Sequence, residues 1–168
     1  PSGKLPITYP RHTNTLHTYQ HKGSDKFDEN FGMDGFNPQW EFGHGLSYTN
    51  FSYSNFALSA DTISTDQNIV VSVDITNTGN YAGKEVVQLY ISDLVATITP
   101  DDRKLVDFEK IHLKAGETKN VSLTITYNNL KFVDLNNQWI TEKGDFEVLV
   151  GGDPSNMLKK EFYYTGNN

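Results

Sequence analysis

The sequence predicts an all-β fold, a two-sheet antiparallel sandwich preceded by an extended N-terminal segment. Apolar side chains occupy alternate positions in residues 69–76 and again in residues 121–127, which is the period of half-buried strands. Turn-forming residues separate the apolar segments at intervals of about 8–12 residues, and no stretch shows a helical period. This combination is typical of immunoglobulin-type sandwiches. Because the chain has no cysteine, apolar packing alone must hold the sheets together.

The first half of the sandwich is predicted to contain three strands. Residues 51–59 carry aromatic side chains whose phase slips at Ser54 and Asn55, which indicates a bulge in the first strand. Residues 69–76 form the clearest strand, and residues 77–80 supply the turn that ends it. Residues 85–92 place alternate apolar side chains on one face, so we expect this third strand to pair with the second.

The second half is predicted to contain further strands, and the fourth has an uneven phase. The apolar run that begins at Leu130 is followed by Asn136-Asn137-Gln138, which turns the chain back toward Trp139 and Ile140. The last strand is a candidate for the edge of a sheet. The predicted strands are residues 104–113, 121–127, 130–135, 146–150 and 161–165.

The chain before Tyr48 has no sustained period. Residues 1–11 contain Pro6 and Pro10, which confine them to an edge strand or a strand end. Such an edge needs a sheet, so we expect the chain to be a piece of a longer protein. Residues 12–45 form an irregular loop of a length that is usually functional or packed on a neighbour, and residues 46–168 form the sandwich. Gly43 and Gly45 predict a tight connection between loop and sandwich.

Composition and charge exclude several classes of function. The formal net charge of −7 argues against binding to nucleic acid or an anionic membrane, which both require clustered Lys and Arg. No apolar run approaches the ~18–20 residues of a membrane span. His17 and His21 have the spacing of paired metal ligands, but their neighbours are poor helix formers and no third ligand is evident. We therefore predict neither a metal site nor a cofactor.

Two groups of side chains in the loop deserve a functional interpretation. Glycoside hydrolysis requires a pair of carboxylates, but spacing does not single out a pair here, and we predict no catalytic residue in the chain. The aromatic rings either pack on a neighbouring domain or form a platform for a sugar, with His21, Asp25 or Asp28 as hydrogen-bonding partner. The carboxylates are Asp25, Asp28, Glu29, Asp34 and Glu41, and the aromatic residues are Tyr19, Phe27, Phe31, Phe36, Trp40 and Phe42.

Several motifs together resemble one family. They are Gly3 to Arg11, Asn37 to Phe51, Asn77-Thr78-Gly79, Gly83 to Tyr90, Leu105 to Phe108, Leu113 to Glu117 and Gly144 to Gly152. In order and spacing this series resembles the C-terminal region of glycoside hydrolase family 3, especially its β-glucosidases. The resemblance covers practically the whole chain.

The resemblance implies a domain organisation and a set of partners. In such enzymes a barrel domain carries the nucleophilic aspartate, an α/β sandwich domain carries the acid/base glutamate, and a fibronectin type III-like domain comes last. Residues 1–11 would be the terminal strand of the missing α/β sandwich domain, residues 12–45 the interdomain loop, and residues 46–168 the fibronectin type III-like domain. The implied partners are the barrel and α/β domains of the same parent, its β-glucoside substrate and, as a candidate, a second copy of the parent.

The resemblance also implies candidate binding residues and a location. In relatives the loop leans over the mouth of the active site, so Tyr19, His21 and Trp40 are candidates for a leaving-group subsite, and residues 38–42 are expected to pack on the catalytic body. The parent would be periplasmic or extracellular. Two alternatives remain: the same region of a family 3 β-xylosidase, and a stand-alone carbohydrate-binding or adhesive β-sandwich module.

Overall fold

A computed structural model describes residues 1–14, 18–19, 21–22 and 37–166 of the 168-residue chain. Within this part of the chain, ten strands and one 3₁₀ turn, Tyr127–Leu130, follow one another. The strands are β1 (Phe51–Leu58), β2 (Thr62–Ile63), β3 (Ile69–Asn77), β4 (Gly83–Asp93), β5 (Lys104–Leu113), β6 (Thr118–Ile125), β7 (Phe132–Val133), β8 (Trp139–Ile140), β9 (Gly144–Gly151) and β10 (Leu158–Tyr164).

The strands form two main sheets and a small hairpin. One sheet has the order β1-β3-β6 and the other has the order β2-β10-β9-β4-β5, while β7 and β8 pair with each other. All pairings are antiparallel except that of β10 with β2. The prediction of an all-β, immunoglobulin-type sandwich is therefore confirmed.

The core lies between the two sheets and follows the predicted alternation. β3 buries every second residue from Ile69 to Ile75, and β4 buries Val87, Leu89 and Ile91 in the same cluster. Removal of these side chains from water supplies the main driving force for folding, about 1.5–3 kcal/mol for each large side chain before entropy is subtracted. The remaining core positions come mainly from β6, β9 and β10.

The predicted pairing of the second long strand with the third is wrong. β3 pairs with β1 and β6, whereas β4 pairs with β5 and β9 in the opposite sheet. Both strands have one apolar face, and these faces meet across the core instead of side by side in one sheet. The chain crosses between sheets, which lie about 10 Å apart, through residues 78–82. Alternation identifies a buried face but does not specify which sheet carries it.

The irregular phases predicted in two strands correspond to real bulges. The register of β1 against β3 shifts between Ser54 and Ala57, and Asn55 adopts a positive φ of 52°. The register of β5 against β4 shifts where Leu89 and Tyr90 face Asp107 and Leu105, so that Val106 is the extra residue. Both predictions of irregularity are confirmed.

Three shorter or terminal strands differ from the prediction. Of the strand predicted for residues 130–135, only Phe132 and Val133 are extended as β7, because residues 127–130 form the 3₁₀ turn. β10 is longer than predicted and is not an edge strand, since β2 pairs with its outer side over two residues. β2 was missed because two residues are too few to show a period.

A buried asparagine holds the crossover between the sheets. Asn77 is fully buried at the end of β3, where its Oδ1 accepts hydrogen bonds from the Thr49 hydroxyl (2.6 Å) and the Gly79 amide (3.1 Å). Its Nδ2 donates to the carbonyl oxygens of Tyr81 (2.8 Å) and Leu113 (3.2 Å). Leu113 ends β5, so one side chain joins the turn to both sheets.

Replacement of this asparagine tests the crossover. Asn77→Ala leaves four polar groups without their partner, and we expect the free energy of unfolding to fall by about 3 kcal/mol. Urea unfolding followed by circular dichroism measures the change. Asn80→Ala is the matched control, because Asn80 is exposed in the same turn. Equal effects of the two substitutions would contradict the role given to Asn77.

Candidate functional site

The N-terminal segment, residues 1–9, and the connector, residues 37–45, run antiparallel to each other. The Leu5 amide donates to the His44 carbonyl at 2.8 Å, and the Gly43 amide donates to the Leu5 carbonyl at 2.9 Å. Farther along, Tyr9 and Trp40 form an antiparallel bridge. The two segments thus form a short ribbon, although neither has the apolar period of a strand.

This ribbon lies on the outer face of the five-stranded sheet. Tyr90 on β4 and Leu149 on β9 are cross-strand neighbours, and both are buried without belonging to the core cluster between the sheets. They therefore lie on the opposite face from the core. A Cβ atom built on Gly43 would approach the Tyr90 hydroxyl to 2.7 Å, so the connector lies directly over this face.

Gln88 fastens the connector to the sheet. Its Nε2 donates to the carbonyl oxygens of Gly43 (3.1 Å) and Gly152 (3.2 Å), and its Oε1 accepts from the Tyr90 hydroxyl at 2.7 Å. The residue is only 3% exposed, so these bonds are shielded from water. Gly43 has a φ of +85°, and a Cβ atom there would lie 2.3 Å from Gln88 Oε1. Only glycine satisfies both constraints.

Lys4 forms a second attachment next to Gln88. Its ammonium donates to the Gly152 carbonyl at 2.5 Å and lies 3.5 Å from the buried carboxylate of Glu85. The same carboxylate oxygen accepts from the Tyr53 hydroxyl at 3.0 Å. Burial, with the neighbouring Glu85, raises the pKa of Tyr53, which keeps its hydroxyl a donor. The N-terminal segment is thereby bonded to a group on β4 and to one after β9, and Glu85 links it in turn to Tyr53 on β1.

Charged pairs surround these buried contacts. Arg103 pairs with Glu41 of the connector, donates to the Pro154 carbonyl at 2.9 Å, and lies over the Tyr90 ring. His44 Nδ1 lies 2.8 Å from Asp153 Oδ2. Burial would raise the pKa of Asp153, but the hydrogen bonds from Ser155 and the contact with His44 outweigh it and hold that pKa below its usual value.

Tyr19 and His21, two of the predicted site residues, lie together in a narrow cleft beside this network. The Tyr19 ring packs against Phe42 at 4.3 Å between centroids, and its hydroxyl oxygen accepts from the Leu105 amide. Burial raises the pKa of the Tyr19 hydroxyl, although the hydrogen bond from Leu105 opposes this. His21 is buried, and its carbonyl accepts from the Asp102 amide at 2.8 Å. Both residues thus contact the sandwich.

Trp40, the third predicted residue, lines a different and open groove of about 300 Å³ together with His44 and Asp153. Its indole contacts Tyr9 at 5.3 Å between centroids and stacks nearly parallel to His44 at 6.4 Å, and it remains 44% exposed. The structure therefore brings Tyr19 and His21 together, and it leaves Trp40 partly exposed in a separate groove.

Part of the predicted chemistry lies outside the described residues. His17, Asp25, Asp28, Glu29, Asp34, Phe27, Phe31 and Phe36 belong to this group. Within the described ranges, no cluster of three or more His, Asp or Glu side chains could hold a metal ion. In the same ranges, no helical segment has the length and hydropathy that a membrane crossing requires.

The residues that fasten the ribbon were missed in the sequence. Gln88 interrupts the apolar run of β4, which Glu85 directly precedes, and a polar residue inside a buried strand is a signal that both faces are covered. Arg103 and Asp153 lie in loops and carry no comparable signal, because a charged loop residue is usually solvated.

Comparisons with known proteins give a consistent picture. Residues 85–153 match a family model described as a fibronectin type III-like domain. A candidate β-xylosidase of Formosa agariphila is 39% identical and the periplasmic β-glucosidase of Salmonella typhimurium is 37% identical, each over 96% of this chain. The chain covers 21% and 22% of these proteins, so it spans about a fifth of the length of the curated relatives it matches.

A solved structure extends the similarity to the fold. The β-glucosidase of Listeria innocua in complex with gluconolactone superposes with a TM-score of 0.89 at 30% identity. The match covers 99% of this chain and 24% of that one. The similarity therefore includes the ribbon as well as the sandwich.

Gln88→Glu tests the attachment of the connector with an almost isosteric change. The introduced carboxylate loses both donors to Gly43 and Gly152, and we expect the free energy of unfolding at pH 7 to fall by about 3 kcal/mol. Burial raises the pKa of this carboxylate in the folded state. The decrease in the free energy of unfolding should therefore become smaller as the pH falls through that folded pKa, because the protonated group can donate a hydrogen bond again. Urea unfolding at several values from about pH 4 to about pH 8 measures both effects.

Gln138→Glu is the matched control, because Gln138 is exposed in the β7–β8 turn. We expect it to change stability by less than about 0.5 kcal/mol. Amide exchange at Leu5 and Gly43 should accelerate in Gln88→Glu alone. Unchanged exchange at both amides would contradict the proposed attachment.

Proposed function

We propose that the chain is the non-catalytic C-terminal portion of a retaining family 3 β-glucosidase. The premise is its similarity, over 96% of its length, to a candidate β-xylosidase and a periplasmic β-glucosidase of which it covers 21% and 22%. The parent would hydrolyse terminal β-D-glucosyl residues of cello-oligosaccharides and other β-glucosides. The sandwich would stabilise the barrel and α/β domains of that parent and shape the mouth of its active site.

The observation that carries the proposal is the buried attachment of the ribbon. Lys4 and Gln88 bond the N-terminal segment and the connector to the sheet in a region shielded from water. A domain that precedes the segment would therefore be held at a defined orientation to the sandwich. A flexible linker, by contrast, would leave the relative domain motion that is usual across small interfaces. This rigidity suits a structural role beside a catalytic body.

Two other assignments compete with this one. A β-xylosidase parent is supported by the Formosa agariphila relative, and we place substrate choice in domains outside this chain. A stand-alone binding module would carry a row of exposed aromatic rings on a sheet face. The outer face of β3 and β6 instead carries Ser72, Asp74, Thr76, Ser122 and Thr124, which favours the structural role.

The location and partners follow from the same premise. A relative is named a periplasmic β-glucosidase, so we assign the parent to the periplasm or the extracellular space. Its partners would be the two catalytic domains, the β-glucoside substrate and, as a candidate, a second copy of the parent. No cofactor is assigned.

We also infer a leaving-group subsite in which Trp40 is the main contact. Its ring is partly exposed and has polar neighbours in His44 and Asp153. Tyr19 and His21 remain candidates for the same subsite. The Tyr19 hydroxyl, however, already accepts a hydrogen bond from Leu105, so packing is the better-supported role for that residue.

The 168-residue chain by itself is expected to be inactive. Both catalytic carboxylates of the parent would lie outside it, so purified chain should release no nitrophenol from an aryl β-glucoside beyond a mock preparation. Release that scales with the amount of chain, and that survives a further purification step, would refute the non-catalytic assignment.

Substitutions in the intact enzyme test the subsite. A leaving-group contact predicts that Trp40→Ala lowers kcat/KM for disaccharides about tenfold more than for small aryl glucosides, because only the disaccharide presents a second sugar ring. Tyr19→Ala is the comparison. If Tyr19 only packs against the sandwich, its loss of kcat/KM should differ less between disaccharides and small aryl glucosides than the loss in Trp40→Ala. Equal losses on both substrates in Trp40→Ala would leave a packing role for that residue too.

A further inference from the structure

A concave site of about 290 Å³ lies between the end of β4, the following loop, the start of β5 and the β7–β8 hairpin. We refer to it as the hairpin cavity. Its volume is at the lower end of the range of about 300–1,000 Å³ that is usual for small-molecule sites. None of the residues assigned above to the leaving-group subsite lines it.

The cavity has an apolar floor and an aromatic side wall. Ile91, Leu130 and Phe146 are buried and line its base. Trp139 lines the wall and is 70% exposed, although it is paired directly opposite Val133 in the hairpin. A large indole held in regular structure, yet left open to solvent, offers a flat apolar surface to a ligand.

Two groups of opposite charge lie inside the same cavity. The Asp93 carboxylate accepts from the Val95 amide at 3.2 Å, and the Lys104 ammonium donates to the Lys131 carbonyl over 3.4 Å. A carboxylate has about four acceptor sites and an ammonium has three donors, so both groups retain capacity for further hydrogen bonds. At the rim Lys22 and Asp101 form an ion pair at 2.6 Å.

The electrostatics of the two groups reflect the partial exclusion of water. Burial raises the pKa of Asp93 to about 6, with the Val95 amide acting against it and Glu142 adding to it. Burial likewise lowers the pKa of Lys104, against the opposite effect of Asp101 and Asp93. Ionisable groups with perturbed pKa values inside a cleft are typical of binding sites. Here they lie in the same cavity as the apolar base and the exposed Trp139 indole.

We propose that the hairpin cavity binds a neutral pyranose unit, with one C–H face of the sugar on the Trp139 indole and its hydroxyls bonded to Asp93 and Lys104. A pyranose has an apolar face of axial C–H groups and an edge of hydroxyls that both donate and accept. The negative face of the indole attracts the C–H groups, while an acceptor and a donor serve the edge.

Other ligand classes fit less well. A purely apolar ligand would desolvate Asp93 and Lys104 without replacing their hydrogen bonds with water, which is unfavourable. An anion or a cation would meet one opposite and one like charge of this pair. A neutral polyol ring satisfies both groups at once. The proposal does not depend on the role given to the chain in a β-glucosidase.

Titration of the 168-residue chain with methyl β-D-glucopyranoside, followed by NMR of backbone and indole N–H groups, tests the site. We expect saturable shifts at the Trp139 indole and at the amides of Val133 and Lys104, with an affinity in the millimolar range. Sorbitol, an acyclic polyol without a rigid C–H face, is expected to give no saturable shift.

Three variants and a control sharpen the test. Trp139→Leu should weaken binding about tenfold, which corresponds to about 1.4 kcal/mol, and Trp139→Phe should weaken it less because a ring remains. Asp93→Asn should weaken binding by removing a charged acceptor. Phe108→Ala is the control, because Phe108 is 61% exposed on β5 and does not line the cavity. The affinity of Phe108→Ala for methyl β-D-glucopyranoside should equal that of the unsubstituted 168-residue chain.

Several results would overturn the proposal. They are an absence of saturable shifts, shifts that centre on Trp40 instead of Trp139, equal binding of sorbitol, and unchanged affinity in Trp139→Leu. Saturation by phenol without saturation by the glycoside would also overturn it. If Trp139→Leu fails to fold, the location of the shifts in the unsubstituted 168-residue chain and the affinity of Asp93→Asn still decide whether the hairpin cavity binds the sugar. None of these readouts requires hydrolytic activity.

Discussion

The amide of Gln88 donates to two carbonyl oxygens from within a strand that is buried on both faces. One carbonyl belongs to the connector and the other follows β9, so a single side chain joins the polypeptide that precedes the sandwich to its central sheet. An unsatisfied buried amide costs more than the bond contributes when it is made. The arrangement therefore requires Gly43, whose positive φ and lack of a Cβ atom allow the connector to approach.

This attachment covers the outer face of the five-stranded sheet around Tyr90 and Leu149, on β4 and β9, and makes that part of the face an interior. The two-sheet sandwich gains a third layer, the ribbon. Lys4 of the ribbon makes a buried hydrogen bond to the sandwich, while Glu41 and His44 form partly exposed charged pairs with Arg103 and Asp153. The pairs near the surface contribute little individually, so the buried bonds set the geometry. A rigid ribbon is what distinguishes the proposed structural role from that of a sandwich on a flexible linker.

Hydrogen-bond satisfaction separates the structural polar groups from the candidate binding groups. The Tyr19 hydroxyl, the Asn77 amide and the Gln88 amide all have protein partners that account for their burial. Asp93 and Lys104 lie in a cavity with capacity to spare, beside an exposed indole. Trp40 is intermediate, because its ring packs on Tyr9 and His44 while the residue stays partly exposed.

The sequence by itself determined the all-β class, the main strands, the bulge near Asn55, the uneven phase of β5 and the resemblance to family 3 enzymes, because each depends on local period or on motifs in a fixed order. Only the tertiary structure decided that β3 and β4 lie in opposite sheets, that Gln88 fastens the connector, and that Asp93, Lys104 and Trp139 meet in one cavity. Gln88 is far along the chain from Gly43, and Asp93 is far from Trp139. Alternation states which side of a strand is buried, but it carries no information about what buries it.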